Sequence, residues 1–267
     1  MRLHKRQSKI LAAVKSRGAC SIVELAAQLN VSDETIRRNI KPLVRQGLVE
    51  KVHGGILFNQ NLEPELPFER RMNEHIEEKQ IISSLAAKMI KDGDSIMIDT
   101  GSTTAYVARS LSDHRNLSVV TNCTEIARTL ARGPSNRVHL SGGVLRPDDW
   151  ATFGPSAINF VRQFHVSFAI LSIGAITEAG EFMDYHLEEA EFSRAVIKQA
   201  KKTIVVADHS KFGNSNFIKV CDFDQIDMVV VDRSPPARIM AAFDETGVAV
   251  VDGQGTVKMD VKGDGGI

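Results

Sequence analysis

The chain has 267 residues, 43% hydrophobic and 25% charged, with 19 glycines and 8 prolines, a globular balance that excludes collagen-like, low-complexity and wholly disordered classes. Its 33 basic and 33 acidic residues cancel, yet residues 1–58 hold eleven basic against four acidic side chains, a net +7 set against −7 over the remainder. A small basic module on a larger acidic body points to a polyanion reader joined to a second function.

Ile10, Leu11 and Val14, with Leu3 a turn and a half earlier, mark one face of a first helix that stops near Gly18. Ser21 is suited to cap a short second helix whose Ile22, Leu25, Ala26 and Leu29 keep i, i+3, i+4, i+7 spacing. After a tight Asn30-Val31 turn, Ser32 caps a third helix with a buried stripe of Ile36, Ile40, Leu43 and Val44. Asp33 lies in its first turn, and the opposite face offers Thr35, Arg37, Arg38, Lys41 and Arg45. Two short helices joined by a tight turn, the second cationic on its outer side, suit insertion into the DNA major groove. Residues 48–52 then read as a strand and His53-Gly54-Gly55 as a hairpin tip, where glycine permits positive φ and close approach to a phosphate; this hairpin is the expected wing. Pro42 removes the amide bond to the Arg38 carbonyl at a cost of ~3 kcal/mol. The helix is therefore expected to bend or end there, confining base reading to 33–41.

Residues 59–75 are expected to form a linker, with two prolines in NQNLEPELPF. A helix is expected over about 69–90, with Ile81, Ile82, Leu85, Ala86 and Met89 on one stripe, as a lever between the domains. Beyond it, apolar strand candidates at 95–99, 117–121, 138–141, 168–172, 203–207, 228–231 and 248–251 alternate with helical stretches near 105–111, 125–130, 156–164, 187–199 and 237–244. That alternation predicts an α/β domain over 76–252 with a mainly parallel sheet covered on both faces, following the winged helix-turn-helix domain of 1–58. The Gly- and Lys/Asp-rich residues 253–267 read as a disordered tail.

Ligands of such folds collect at the carboxyl ends of the strands. Asp99, Thr100, Gly101, Ser102, Thr103 and Thr104 leave a strand and open a helix, offering hydroxyls and amides for a phosphate. No lysine follows in the spacing of a nucleotide-hydrolase loop, so ATP or GTP hydrolysis is disfavoured. Thr121 and Asn122 occupy the next strand end, and Ser141, Gly142 and Gly143 with Arg146 supply a turn and a cation. Gly174 with Asp184, Glu188 and Glu189 adds carboxylates for polyol hydroxyls, and Asp208, His209 and Lys211 close the set. These strand ends together predict a pocket for a phosphorylated polyol.

KRQSKIL near the start and VSDETIRRNIKPLVRQGLVEKVHGGI over 31–56 resemble the N-terminal domain of the DeoR family of bacterial transcriptional regulators. MIDTGSTT, VVTNC, LSGGVLR, GAIT, EEAEFSRAVI and VVADHSKF are similar to that family's sensor domain, and the likeness covers nearly all of 1–252. It implies a sensor related in fold to ribose-5-phosphate isomerase. It also implies operator binding by Ser32, Thr35, Arg37 and Arg38 with help from Lys51, His53 and Gly54, and release by a phosphorylated sugar or polyol. MDYH at 183–186 and ADHSKFG at 207–213 are most similar to the glycerol-3-phosphate repressor branch. Asn39 stands where the family has Asp, and Trp150 where a small residue is usual.

A sugar-phosphate isomerase or deaminase is the alternative, with Asp184, Glu188 and Lys211 as its acid–base groups. Such an enzyme has no need of a basic winged helix, and no spacing here compels catalysis, so a regulator without catalytic residues, cofactor or metal is expected. Operator half-sites imply a homo-oligomer, dimer or tetramer. Cys20, Cys123 and Cys221 are odd in number, far apart and without CxxC, which fits a reducing compartment. With no signal-peptide stretch and no apolar run near the ~20 residues of a membrane span, a cytoplasmic protein is expected.

Overall fold

The computed structural model describes residues 5–17, 19–45, 49–52, 55–58, 65–255 and 257–258, in two compact units, Met1–Glu65 and Leu66–Ile267. No helix among the described residues is long and apolar enough to cross a membrane.

The first unit runs α1 (Lys5–Arg17), β1 (Ala19–Ser21), α2 (Ile22–Leu29), α3 (Asp33–Arg45), β2 (Val49–Val52) and β3 (Gly55–Phe58). Ser21 starts α2 through a capping box: its Oγ accepts the Glu24 amide at 3.1 Å while the Glu24 carboxylate accepts the Ser21 amide at 2.9 Å. Asn30 ends α2 in the left-handed conformation, φ 50°. Ile10, Val14, Ile22, Leu25, Ile36, Ile40, Leu43, Val49 and Ile56 form one core beneath the helices and sheet. Strands pair in the order β1-β3-β2, so the expected wing gains a third strand that was too short to recognise in the sequence.

Three expectations for this unit need correction. Val44 is 37% exposed, because a residue eight positions after Ile36 has rotated to the edge of the buried stripe. The helix does not end at Pro42 but continues to Arg45. Gly55 is no hairpin tip: it pairs with Val52 and with Ser21 inside the sheet. Its backbone lies so close to β1 that a Cβ would stand 2.6 Å from the Cys20 carbonyl oxygen. Close approach, not positive φ, requires glycine here. Leu3, Gly18, His53 and Gly54 lie outside the described residues.

The second unit begins with α4 (Phe68–Asn73) and α5 (Ile76–Ala87). The single helix expected over 69–90 is broken at Glu74-His75, where His75 takes φ 52° and ψ 44°. Residues 68–73, expected within a linker, are folded onto this unit: Phe68 is buried, and the Met72 carbonyl accepts the Tyr106 hydroxyl at 3.2 Å.

There follow β4 (Ser95–Ile98), α6 (Ser102–Ser110), β5 (Ser118–Thr121), α7 (Thr124–Leu130), β6 (Arg137–Leu140), a β7–β8 hairpin (Val144–Arg146, Ala151–Phe153), α8 (Pro155–Val161), β9 (Val166–Ser172), β10 (Ala175–Ile176) and β11 (Glu181–Asp184). Then come α9 (Leu187–Ile197), β12 (Ala200–Ala207), β13 (Ile218–Asp222), β14 (Met228–Val231), α10 (Ala237–Thr246), β15 (Ala249–Val251) and β16 (Val257–Lys258).

The main sheet has the order β16-β15-β14-β12-β9-β4-β5-β6, parallel throughout except at β16. Residues 257–258, expected in a disordered tail, therefore form its edge strand. Successive side chains of β12 serve opposite faces: Ile204 and Val206 join one core, Val205 and Ala207 the other. Apolar burial on both faces explains why these strands read as continuous hydrophobic runs. A smaller antiparallel sheet, β10-β11-β13, covers the second core, where Phe182, Phe223 and Phe243 meet with ring centroids 4.4–6.2 Å apart.

The strand order fixes where the candidate site lies. From β4 the chain moves outward through β5 to β6, then returns to β9 on the other side of β4 and proceeds through β12 to β14 and β15. The direction of winding thus reverses between β4 and β9. In open parallel sheets a crevice opens outside the carboxyl ends of the two strands at such a reversal.

Candidate functional site

In the first unit, Ser32, Asp33, Arg37, Arg38, Lys41 and Lys51 are exposed and Thr35 half-buried. The Ser32 hydroxyl accepts the Thr35 amide at 3.3 Å and shares a 2.9 Å hydrogen bond with the Thr35 hydroxyl, so both side chains organise the start of α3. Asn39 donates its amide to the Thr35 carbonyl at 2.8 Å, tying its side chain back to its own helix. The guanidinium groups of adjacent Arg37 and Arg38 and the Lys41 ammonium give α3 a cationic outer surface suited to phosphates and guanine edges.

In the second unit, the β4–β9 reversal brings the Asp99–Thr104 segment against Ser172. Asp99 is buried, and its carboxylate accepts the Ser172 amide at 3.0 Å. Desolvation, assisted by the nearby Glu189 carboxylate, raises the Asp99 pKa well above the ordinary carboxylate range. The Ser172 hydroxyl donates to the Thr100 carbonyl at 3.1 Å. Ser102, Thr103 and Thr104 are buried in the first turn of α6, whose N-terminus at Gly101 receives no side-chain cap. A helix start of this kind presents amides and a positive dipole end to an anion.

The neighbouring strand ends are equally polar. Thr121 and Asn122 are buried at the end of β5, and the Thr121 hydroxyl accepts the Cys123 amide at 3.1 Å. Asn122 donates to the Thr152 carbonyl at 3.2 Å, but its Oδ1 has no partner. Gly142 and Gly143 are exposed, and at Gly143, φ 143°, a Cβ would meet the Phe153 carbonyl at 2.5 Å. Trp150 takes φ 57° with an exposed side chain while its carbonyl accepts both the amide and the hydroxyl of Thr124.

Arg146 is not a lone cation. Its guanidinium stacks 4.4 Å from the Phe153 ring centroid and donates to Asp149, by Nε at 2.9 Å, and to Glu189. Asp149 is buried and also accepts the Thr100 hydroxyl at 3.2 Å. A chain of polar contacts thus runs Thr100–Asp149–Arg146–Glu189. Glu189 makes this contact from the first turn of α9, whereas Glu188 is exposed. Asp149 escaped the sequence reading because it follows no strand of the parallel sheet; it lies in the turn of the β7–β8 hairpin.

On the β9 side, Gly174 packs so tightly that a Cβ would lie 2.4 Å from Asn216 Nδ2 and 3.1 Å from Asp184 Oδ1. Asn216, which no motif singles out, is buried with that Nδ2 unpartnered. One buried acceptor, on Asn122 at the end of β5, and one buried donor, on Asn216 beside Gly174, therefore lack a protein partner, each costing about 1–3 kcal/mol unless a ligand or water meets it.

Lys211 ends the short turn His209–Lys211 after β12. Burial works to raise the neighbouring Asp208 pKa, but hydrogen bonds from Ser210 and the Lys211 charge outweigh it and hold the carboxyl below its ordinary value. Lys79, buried near the start of α5, donates to the Glu74 carbonyl at 2.6 Å and to that of Arg71, and burial pushes its ammonium down to about 8.

A helix-turn-helix with a cationic outer helix, followed by a doubly wound body with buried polar residues at its strand ends, is the plan of a ligand-responsive transcriptional regulator. Residues 6–61 match the model of the DeoR-like helix-turn-helix domain and residues 74–233 that of the DeoR C-terminal sensor domain. The chain belongs to the DeoR family.

It is 32% identical over 246 residues to the HTH-type transcriptional repressor CsqR of Escherichia coli K12, covering 92% of this chain and 94% of that protein. It is 33% identical over 240 residues to the glycerol-3-phosphate regulon repressor of the same organism, covering 90% and 95%. The transcriptional repressor AccR of Agrobacterium fabrum is 31% identical over 228 residues, covering 85% and 88%. Among solved structures, a D-ribose-5-phosphate isomerase in complex with phospho-erythronic acid superposes with a TM-score of 0.38 at 17% identity, over 51% of this chain and 54% of that one. The eIF2B beta of Chaetomium thermophilum superposes with 0.45 at 12% identity, over 90% and 68%.

Proposed function

We propose that this protein is an operator-binding repressor that is released when a phosphorylated sugar or polyol occupies the crevice between the ends of β4 and β9. The observation that carries this reading is the coincidence of the winding reversal with the buried, uncapped hydroxyl-rich turn Thr100–Thr104. That turn receives the phosphate, Lys211 adds a cation, and Asn122, Asp184 and Asn216 meet hydroxyl groups. The relative named for the glycerol-3-phosphate regulon makes a three-carbon phosphate the first effector to try.

On the DNA side, Arg37, Arg38, Lys41 and Lys51 contact phosphate and base edges while Ser32, Asp33 and Thr35 set the start of the reading helix. A homo-oligomer presents two or more such helices to repeated half-sites. Release requires the effector to favour the DNA-incompetent arrangement, with coupling of about 1–3 kcal/mol.

The test pairs thermal unfolding with operator gel shifts across glycerol-3-phosphate, glycerol and a panel of sugar phosphates. One phosphorylated compound raising Tm and dissociating the operator complex, with its dephosphorylated form inert in both, is the expected result. Turnover of a sugar phosphate by the purified protein, or operator binding indifferent to the whole panel, overturns the reading.

A further inference from the structure

A second constellation gathers where α5 begins and the turn after β12 starts. His75, Glu78 and His209 each bring one metal-ligating atom into a set whose members all lie within 4.8 Å of one another. Their separation in the sequence conceals the grouping. His75 occupies the break between α4 and α5 in the left-handed conformation, with no side-chain capping bond to account for its position. Its Nδ1 stands 3.8 Å from Glu78 Oε1, one turn further along. Strained non-glycine backbone of this kind often marks a functional position.

The imidazoles of His75 and His209 meet edge to face, with centroids 5.5 Å apart and planes at 88°. Two imidazoles on a tetrahedral ion with metal–nitrogen bonds near 2.0–2.1 Å place their centroids about 5 Å apart. His209 is already oriented for such a role, because its Nδ1 hydrogen-bonds Asp232 Oδ2 at 2.9 Å. Nε2 is then the nitrogen left for a metal, in the carboxylate–histidine arrangement that fixes the tautomer and strengthens the ligand. The local carboxylates also attract a cation: Arg233 reaches Asp232 at 2.9 Å and Glu78 at 3.7 Å from a largely exposed position it is able to vacate.

We propose that His75, Glu78 and His209 bind one divalent transition-metal ion of the zinc type, with Asp232 positioning the His209 ring and a fourth coordination place open to water. Two imidazoles and a carboxylate favour zinc, cobalt, nickel or copper over magnesium and calcium. The bound ion would tie the start of α5 to the turn that carries Lys211.

Untagged full-length protein, stripped with chelator and dialysed, is titrated with Zn²⁺ by calorimetry, and Co²⁺ absorption reports the coordination. One ion per chain and a metal-dependent rise in Tm are expected. The His75→Asn variant, chosen because asparagine tolerates the left-handed conformation, and the Glu78→Gln variant lose this binding while keeping wild-type circular dichroism. Asp232→Asn keeps the stoichiometry and weakens affinity about 10–100-fold. Absence of saturable one-to-one binding, or affinity unchanged in both His75→Asn and Glu78→Gln, overturns the proposal.

Discussion

Gly101 and Ser172 meet across the winding reversal so closely that a Cβ on residue 101 would stand 2.1 Å from Ser172 Oγ and 2.7 Å from Ser172 Cβ. Both offending atoms belong to one side chain held by its bond to the Thr100 carbonyl. Gly101→Ala therefore overpacks this contact, with an expected loss of about 1–3 kcal/mol and, on the proposed function, of the effector's stabilisation. Ser172→Ala leaves the Cβ clash in place, whereas Ser172→Gly removes both atoms. In Gly101→Ala/Ser172→Gly much of the lost stability returns, which denaturant titration of the four proteins measures as a coupling energy.

Arg146 joins the β7–β8 hairpin to α9 by bridging Asp149 and Glu189. Removing it strands the buried Asp149 carboxylate, so Arg146→Ala is expected to cost about 3 kcal/mol. Arg146→Lys retains the charge but loses the planar fork and the stacking on Phe153, and recovers only part of that loss. Urea unfolding at neutral pH ranks the three proteins; equal midpoints would refute the role given to the pair.

Asp99 supplies a pH-dependent test. Burial raises its folded-state pKa above the unfolded value, which lies near 3.9. Between those two values the native state retains a proton that the unfolded chain has released, so this group's contribution to stability falls as pH rises through the interval. Asp99→Asn keeps an acceptor for the Ser172 amide and never ionises. Relative to wild type it should gain stability as pH is raised from about 4 through the folded-state pKa. Below about 4 the difference should flatten. Denaturant midpoints across pH measure this directly, and a difference independent of pH would show that Asp99 is not the titrating group.

Much of this arrangement is legible in the sequence for a definable reason. The central parallel strands are buried on both faces and announce themselves as apolar runs, and the reading helix announces itself by its cap, its stripe and its arginines. What remained hidden lacks those signals. The β7–β8 hairpin is short, with Val144 80% exposed, and β10, β11 and β13 form a small separate sheet outside the strand–helix alternation. The break at His75 carries neither glycine nor proline. Glu188 and Glu189 differ only in helical phase, and Asn216 belongs to no pattern, so their surroundings become apparent only when distant segments meet.

On the reading helix, Arg37 and Arg38 are adjacent and exposed, Thr35 and Ser32 are committed to the helix start, and Asn39 is bonded to its own backbone. Affinity should therefore reside in the cations more than in the hydroxyls. If Arg37 contacts a phosphate, Arg37→Ala weakens operator binding across sequences and lowers the salt slope by about 1. If it reads guanine, the variant relaxes preference at one base pair instead, at a cost of about 1–3 kcal/mol. Binding isotherms at several salt concentrations with a set of operator variants separate these outcomes, and unchanged binding in both Arg37→Ala and Arg38→Ala would remove α3 from the interface.

Pro42 lies inside α3, with only Leu43, Val44 and Arg45 beyond it. Its ring denies the Arg38 carbonyl an amide partner, yet the helix persists because Leu43 is anchored in the core. Pro42→Ala restores that bond, a gain of up to about 3 kcal/mol on intrinsic propensity. Greater freedom of the unfolded chain offsets about 0.4–1 kcal/mol of this. A net stabilisation of about 2 kcal/mol is thus expected. Residues 33–41 lie before the proline and should keep their geometry, so operator preference should stay as it is while thermal stability rises. A selection from randomised operators compares the two proteins. A new consensus for Pro42→Ala would mean that the proline sets the angle at which the helix enters the groove and is part of the reading surface.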